Sequence, residues 1–276
     1  MNPNDQQTPT RSDTFDCAGP ADLDLRLNAG RIDVRAAEVA RIRVDVSVDD
    51  QDVPEDRAAR AIQGMQITFS EPDRKLVLRT PRELRRTRLA VMVETPQHSR
   101  LVARVHSGSI VASGALSGLD ATAGAGDVTA DQIDGDVLVR TGSGDVRLGP
   151  VTGKLRTRSG SGAVDVAAID GDEATLHTGS GDVRLGMVNS DVTLRAGSGD
   201  LTIAEVAHGR LSLATGSGDV WVAIRPGVAA ELDLVSGSGQ ARSELGVSNE
   251  EPAAAPEVRV RVRTGSGDAV VTRATA

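Results

Sequence analysis

A chain of 276 residues with two phenylalanines, one tryptophan and no tyrosine builds neither a large core nor a stacking platform for bases or sugar rings from aromatics. Its formal net charge of −8 argues against a protein-wide phosphate-binding surface. A single cysteine, Cys17, excludes an internal disulfide framework and a thiolate-rich metal site, and fits a reducing compartment.

The first 13 residues are polar, contain Pro3 and Pro9, and read as a disordered tail. They lack the apolar stretch of an export signal, and no apolar run of membrane-spanning length follows, so a soluble cytoplasmic chain without a membrane anchor is expected. Residues 14–105 read as an N-terminal β-strand and capping region. Gly30-Arg31-Ile32-Asp33-Val34 and then Arg41-Ile42-Arg43-Val44-Asp45-Val46 alternate as a pair of strands. Pro54 opens a short helical stretch, and residues 65–69 and 75–79 form a hairpin. The basic run at Arg82, Arg85, Arg86 and Arg88 reads as a solvated loop, with nucleic acid or an acidic partner as its functional alternative.

Residues 106–276 carry one motif many times. Gly-Ser-Gly-Asp recurs so that its Asp slot falls at Ser109, Asp127, Asp145, Ala163, Asp182, Asp200, Asp219, Gln240 and Asp268, at intervals of 18, 18, 18, 19, 18, 19, 21 and 28. A fixed period of this size is one supersecondary unit stacked on copies of itself. Apolar residues fill positions +1, +3 and +6 from the slot (Val183, Leu185, Val188). Positions −8, −6 and −4 are apolar or small (Ala174, Leu176, Thr178), with polar residues between. Each repeat therefore holds two strands whose inward faces meet, with glycine at the corners. The expected fold is all-β: a β-solenoid, parallel β-helix-like, of about nine coils of ~18 residues, with an irregular N-terminal β cap and continuous with the preceding region. Residues 248–256 read as a loop ahead of the last coil. Stacking in chain order makes the coil of Asp268 the terminal one, with Val270 facing outward and inviting end-to-end self-association.

No catalytic, cofactor-binding or metal site is assigned. The Gly-x-Gly pairs lack the third glycine and the helix of a dinucleotide fingerprint, because Asp145-Val146-Arg147 continues as a strand. Asp182, Asp200 and Asp219 should stack on neighbouring coils, as should Asp127 and Asp145. Carboxylates about 4.8 Å apart repel by roughly 0.9 kcal/mol in water. Their partners are turn N–H groups, the +2 arginines Arg147 and Arg184, or a hard cation, the cation being the weaker reading. His98, His106, His177 and His208 lack ligand spacing, and His177 should face solvent. No nucleophile elbow surrounds any serine. Trp221 occupies an outward slot, read first as packed against a loop and second as a contact anchor.

Three features resemble the bacterial DUF4097 family of adhesin-labelled β-strand repeat proteins, most of all its soluble actinobacterial members. They are Thr14-Phe15-Asp16 leading to Gly30-Arg31-Ile32, the Val91-Met92-Val93-Glu94-Thr95-Pro96 step, and Gly227-Val228-Ala229-Ala230-Glu231-Leu232-Asp233-Leu234 with the proline-containing loop beyond. The resemblance spans residues 14–276 and implies a repetitive β-solenoid with no assigned reaction. The expected function is a non-catalytic interaction or scaffold module with a protein partner and no cofactor. A surface adhesin exported by a route not visible in the sequence is the alternative, and an enzyme comes third.

Overall fold

The computed structural model describes residues 9–49, 53–81, 84, 87–246 and 256–275. They divide into two compact units, 1–134 and 135–276.

The first unit contains β1 (Thr10–Asp16), β2 (Asp22–Ala37), β3 (Arg41–Val48), α1 (Glu55–Gln63), β4 (Gln66–Ser70), β5 (Lys75–Arg79), β6 (Leu89–Pro96), β7 (Ser99–Ser107), β8 (Ile110–Ala125) and β9 (Val128–Ile133). Alternation places Leu23 and Leu25 inward along β2 and, after a one-residue shift of phase at 28–30, Ile32 and Val34, each 2% exposed or less. The first half of β2 pairs in parallel with β5 and β7, and its second half with β6 and β8. The coil that comes first in sequence thus lies between two later ones.

Antiparallel strands finish both ladders: β4 lies outside β5, and β3 then β1 lie outside β6. Residues 30–34 and 41–46, expected as a pair of strands, are strands in β2 and β3, and β3 runs antiparallel to β6. The strand turns back to cover the free edge of β6, which would otherwise offer unpaired N–H and C=O groups. Phe15 of β1 meets Phe69 of β4 at 5.2 Å, and α1 packs on β1 and β3 through a side bearing Ala58, Ala61 and Ile62. β1 also starts inside the stretch expected to be a tail. Arg11 Nη1 donates to the Met65 carbonyl at 2.9 Å, tying that strand down.

The second unit contains β10 (Val137–Ser143), β11 (Val146–Val151), β12 (Leu155–Ser161), β13 (Val164–Ile169), β14 (Glu173–Ser180), β15 (Val183–Asn189), β16 (Asp191–Ser198), β17 (Leu201–Ser217), β18 (Val220–Ile224), β19 (Ala230–Ser238), β20 (Ala241–Ser243), β21 (Val258–Ser266) and β22 (Ala269–Arg273). One parallel ladder runs β10, β12, β14, β16, the second half of β17, β21, β19. The other runs β11, β13, β15, the first half of β17, β18, β22, β20. Equivalent residues stack in register, as in Val146, Val164, Val183, Leu201, Val220 and Ala269, all 0–1% exposed. This is the β-solenoid expected from the alternation, with its core between the inward faces.

The order of coils departs from chain order. The coil of β21 and β22 is not terminal: β21 lies between β17 and β19, and β22 between β18 and β20. The coil of β19 and β20 is outermost among the described residues. Val270 shares the outward column of Trp221 and Arg242 yet is 0% exposed, so Val270→Lys would bury an ammonium group instead of probing self-association. The physical reason lies in side-chain content. β21 reads Val-Arg-Val-Arg-Val-Arg and buries three valines, while its Arg259 and Arg261 reach Glu231 and Asp233 of β19 at 3.0 and 2.9 Å. The more polar β19 takes the edge, where Leu232 and Leu234 stay half-buried.

β12 turns two buried hydroxyls without a partner inward, Thr157 and Ser159. Thr157 is 1% exposed and its hydroxyl has no partner. Thr157→Val removes an unsatisfied buried hydroxyl at nearly constant volume, so a stabilisation of about 1 kcal/mol is expected. A thermal melt checks the sign: a lowered melting temperature would contradict it.

Candidate functional site

The repeated corner is the chemically richest feature, and its polar groups serve the stack. In each Gly-Ser-Gly the second glycine takes a positive φ, +132° at Gly181, and a Cβ there would lie 2.3 Å from the Gly162 carbonyl oxygen. Beyond it the aspartate reaches across to the next coil. Asp145 Oδ1 accepts from the Ala163 N–H at 3.0 Å, Asp182 from Asp200 at 3.0 Å, and Asp200 from Asp219 at 2.8 Å. Asp219 then accepts from the Asp268 N–H, and Asp268 from the Gln240 N–H, both at 2.8 Å. The second carboxylate oxygen takes the +2 arginine: Arg147 on Asp145 at 2.6 Å and Arg184 on Asp182 at 2.9 Å.

Turn N–H groups and arginines thus compensate the stacked carboxylates. Among the described residues no group of three His, Cys, Asp or Glu side chains converges for a metal. Chelator is expected to leave the melting temperature unchanged. A calcium-dependent rise, which linkage demands of any ion that binds only the folded state, would reverse this assignment. Asp127 lies in the first unit, where its carbonyl accepts the Ile110 N–H at 2.9 Å.

A second aspartate corner escaped the sequence reading. Asp191 Oδ1 accepts the Arg210 N–H at 2.8 Å, while Oδ2 takes the guanidinium of Arg210 at 2.8 Å. Asp136 accepts the Lys154 N–H at 2.9 Å. The signal was present: Gly135-Asp136, Gly171-Asp172 and Ser190-Asp191 repeat at the other turn. The Arg210 fork holds the Asp191 carboxyl below the ordinary carboxylate range. A depressed folded value stabilises above the unfolded value of about 3.9, and that gain is lost as pH falls through the folded one. The melting difference between wild type and Arg210→Gln should therefore be constant near neutrality and shrink below about pH 4. A difference that persists unchanged into strong acid would contradict this.

Beside this corner is an open cleft of about 520 Å³ lined by Asp170, Asp191, His208, Arg210, Glu257 and Arg259 among others. Asn189 donates to Asp170, Arg210 pairs with Asp191 and Arg259 with Glu231.

The histidines do not converge. His98 pairs with Asp134 at 3.2 Å, His106 lies on β7, His208 lines the cleft, and His177 faces outward on β14. Trp221 is 43% exposed on β18, between Thr202 and Val270 in register. Cys17 is buried, burial pushes its thiol up, and it donates to the Gly19 carbonyl at 3.2 Å, which makes it a poor nucleophile. Of the basic run, Arg82, Arg85 and Arg86 lie outside the described residues, as does the expected loop at 248–255.

The outward face of the ladder from β10 to β16 is cationic. Arg140, Arg158, His177 and Arg195 occupy one column in register on consecutive coils, with Arg156 beside Arg158. The four arginines are exposed.

No curated protein matches the chain. A solved structure from Parabacteroides merdae, described as a "putative adhesin", is 12% identical, with 98% of each chain covered and a TM-score of 0.49. One from Bacteroides fragilis with the same description is 12% identical, covering 95% of this chain and 97% of that one, with a TM-score of 0.41. The family model described as Toastrack DUF4097 matches residues 21–272, nearly all of both units, and the chain therefore belongs to the DUF4097 family.

Proposed function

We propose that the protein is a non-catalytic β-solenoid that acts in the cytoplasm as a binding or scaffold module for a protein partner. The observation that carries this reading is the fate of the motif residues. Glycines form corners, aspartates bridge to the next coil, and +2 arginines neutralise Asp145 and Asp182, so these repeated polar groups serve the stacking. Catalysis needs a unique constellation with an activated group, whereas these contacts recur coil after coil. The lone cysteine agrees with a reducing compartment.

Fractionation of the native host tests the compartment: recovery with cytosolic markers is expected, and recovery on the cell envelope would favour the adhesin alternative. Affinity capture followed by cross-linking tests the mode of binding. Contacts should map to outward slots of the sheets, and a partner held in an enclosed pocket would refute the reading.

A further inference from the structure

We propose that the outward face of β10, β12, β14 and β16 binds a linear polyphosphate chain. Going from β10 to β16, the outward pairs are Leu138 and Arg140, Arg156 and Arg158, Thr175 and His177, Thr193 and Arg195. No carboxylate stands among them. Glu173 and Asp191 border the strip at the far end of their strands, and Asp191 is held by Arg210. None of Arg140, Arg156, Arg158 and Arg195 has an ion-pair partner among the described residues.

Several outward arginines of other coils carry their own counter-ions, although Arg35, Arg100 and Arg263 have none among the described residues. Arg26 pairs with Asp24 at 2.8 Å, Arg210 with Asp191 at 2.8 Å, Arg259 with Glu231 at 3.0 Å and Arg261 with Asp233 at 2.9 Å. On a chain of net charge −8, Arg140 and Arg158 stacked at about 4.8 Å, with Arg156 beside Arg158 and Arg195 two coils beyond it, repel one another without carboxylates and are relieved by an external anion.

The strip also has a shape. Beside the arginine column runs a column of glycines, Gly142, Gly160, Gly179 and Gly197, which leaves a trough free of side chains. It cannot be filled, because a Cβ on Gly160 would lie 2.4 Å from the Gly142 oxygen, and one on Gly197 would lie 2.5 Å from that of Gly179. Ser143, Ser161, Ser180 and Ser198 line its other side with exposed hydroxyls.

Guanidinium forks and hydroxyls offer donors, so the matching ligand carries acceptors and little else. Glycine and serine recur on all four coils and an arginine on three of them, so the matching ligand is itself a chain of one repeated acceptor-bearing unit. Bases and sugar rings call for aromatic platforms, and Phe15, Phe69 and Trp221 lie on other strands. A peptide would present backbone N–H groups, and sheets capture peptides along edges, not on faces. Polyphosphate meets all these conditions.

The test uses the full-length protein, titrated calorimetrically with long-chain inorganic polyphosphate across a salt series. Four neutralised charges predict a log–log salt slope of about −3. Arg140→Ser/Arg158→Ser/Arg195→Ser should weaken binding on the order of a hundredfold at about 0.1 M salt and flatten the slope by about two. Its melting temperature should be unchanged. The control Arg147→Ser/Arg184→Ser/Arg242→Ser removes the same charge from the other ladder and should retain most of the affinity. No binding at low salt, equal losses in both variants, or tighter binding of heparin, single-stranded DNA or polyglutamate would overturn the proposal. Those results leave the non-catalytic reading standing, because that reading is tested by cross-linked protein partners.

Discussion

Gly181→Ala is expected to lower the stability of the second unit by about 3–5 kcal/mol, a drop on the order of 10 °C in melting temperature. Two effects add. At φ +132° the backbone is in a region that essentially only glycine adopts, and the new methyl would sit 2.3 Å from the Gly162 oxygen. Relief by moving that coil would break the neighbouring bonds from Gly162 N to Ser180 O at 3.1 Å and from Val164 N to Asp182 O at 2.9 Å. Ser180→Ala, one residue earlier and exposed, should stay within about 0.5 kcal/mol. Equal losses in the two variants would mean that the corner is not held by stacking. Because each coil touches only its neighbours, proteolysis of the Gly181 variant should cut first near residues 160–200.

Leu176→Asp should be at least as damaging. Leu176 is 1% exposed between the two ladders, flanked in register by Thr157 and Leu194. A carboxylate there has neither water nor a cation, and a cost of about 4 kcal/mol or more is expected. His177→Asp, the next residue, points outward between Arg158 and Arg195 and should leave the melt nearly unchanged. It places a carboxylate inside the arginine strip, so it should also weaken polyphosphate binding without unfolding the protein. Comparable melting losses at 176 and 177 would show the inward and outward registers to be misplaced.

What could be read from residues alone was whatever repeats locally. Alternation separated Val183, Leu185 and Leu176 from Arg184 and His177, because a strand sends successive side chains to opposite faces whatever its neighbours are. The corner glycines and the bridging role of Asp182 and Asp200 followed from the same ruler, since each interaction joins a residue to its own copy one period away. The sequence of stacking did not. β2 lies between coils that come later in the chain, and β21 with β22 between coils that come earlier. Any coil with the right inward residues can pair with any other, so neighbours are selected by edge exposure and cross-strand charge, which exist only once coils are side by side. One trace of the inversion was visible in retrospect. Asp268, last in the chain, keeps a carboxylate that reaches the N–H of a further coil, whereas Gln240 on the outermost described coil has no further coil to reach. The arginine strip belongs to the same class. Each arginine was an ordinary outward residue in the sequence, and only the register of four coils left them together without carboxylates.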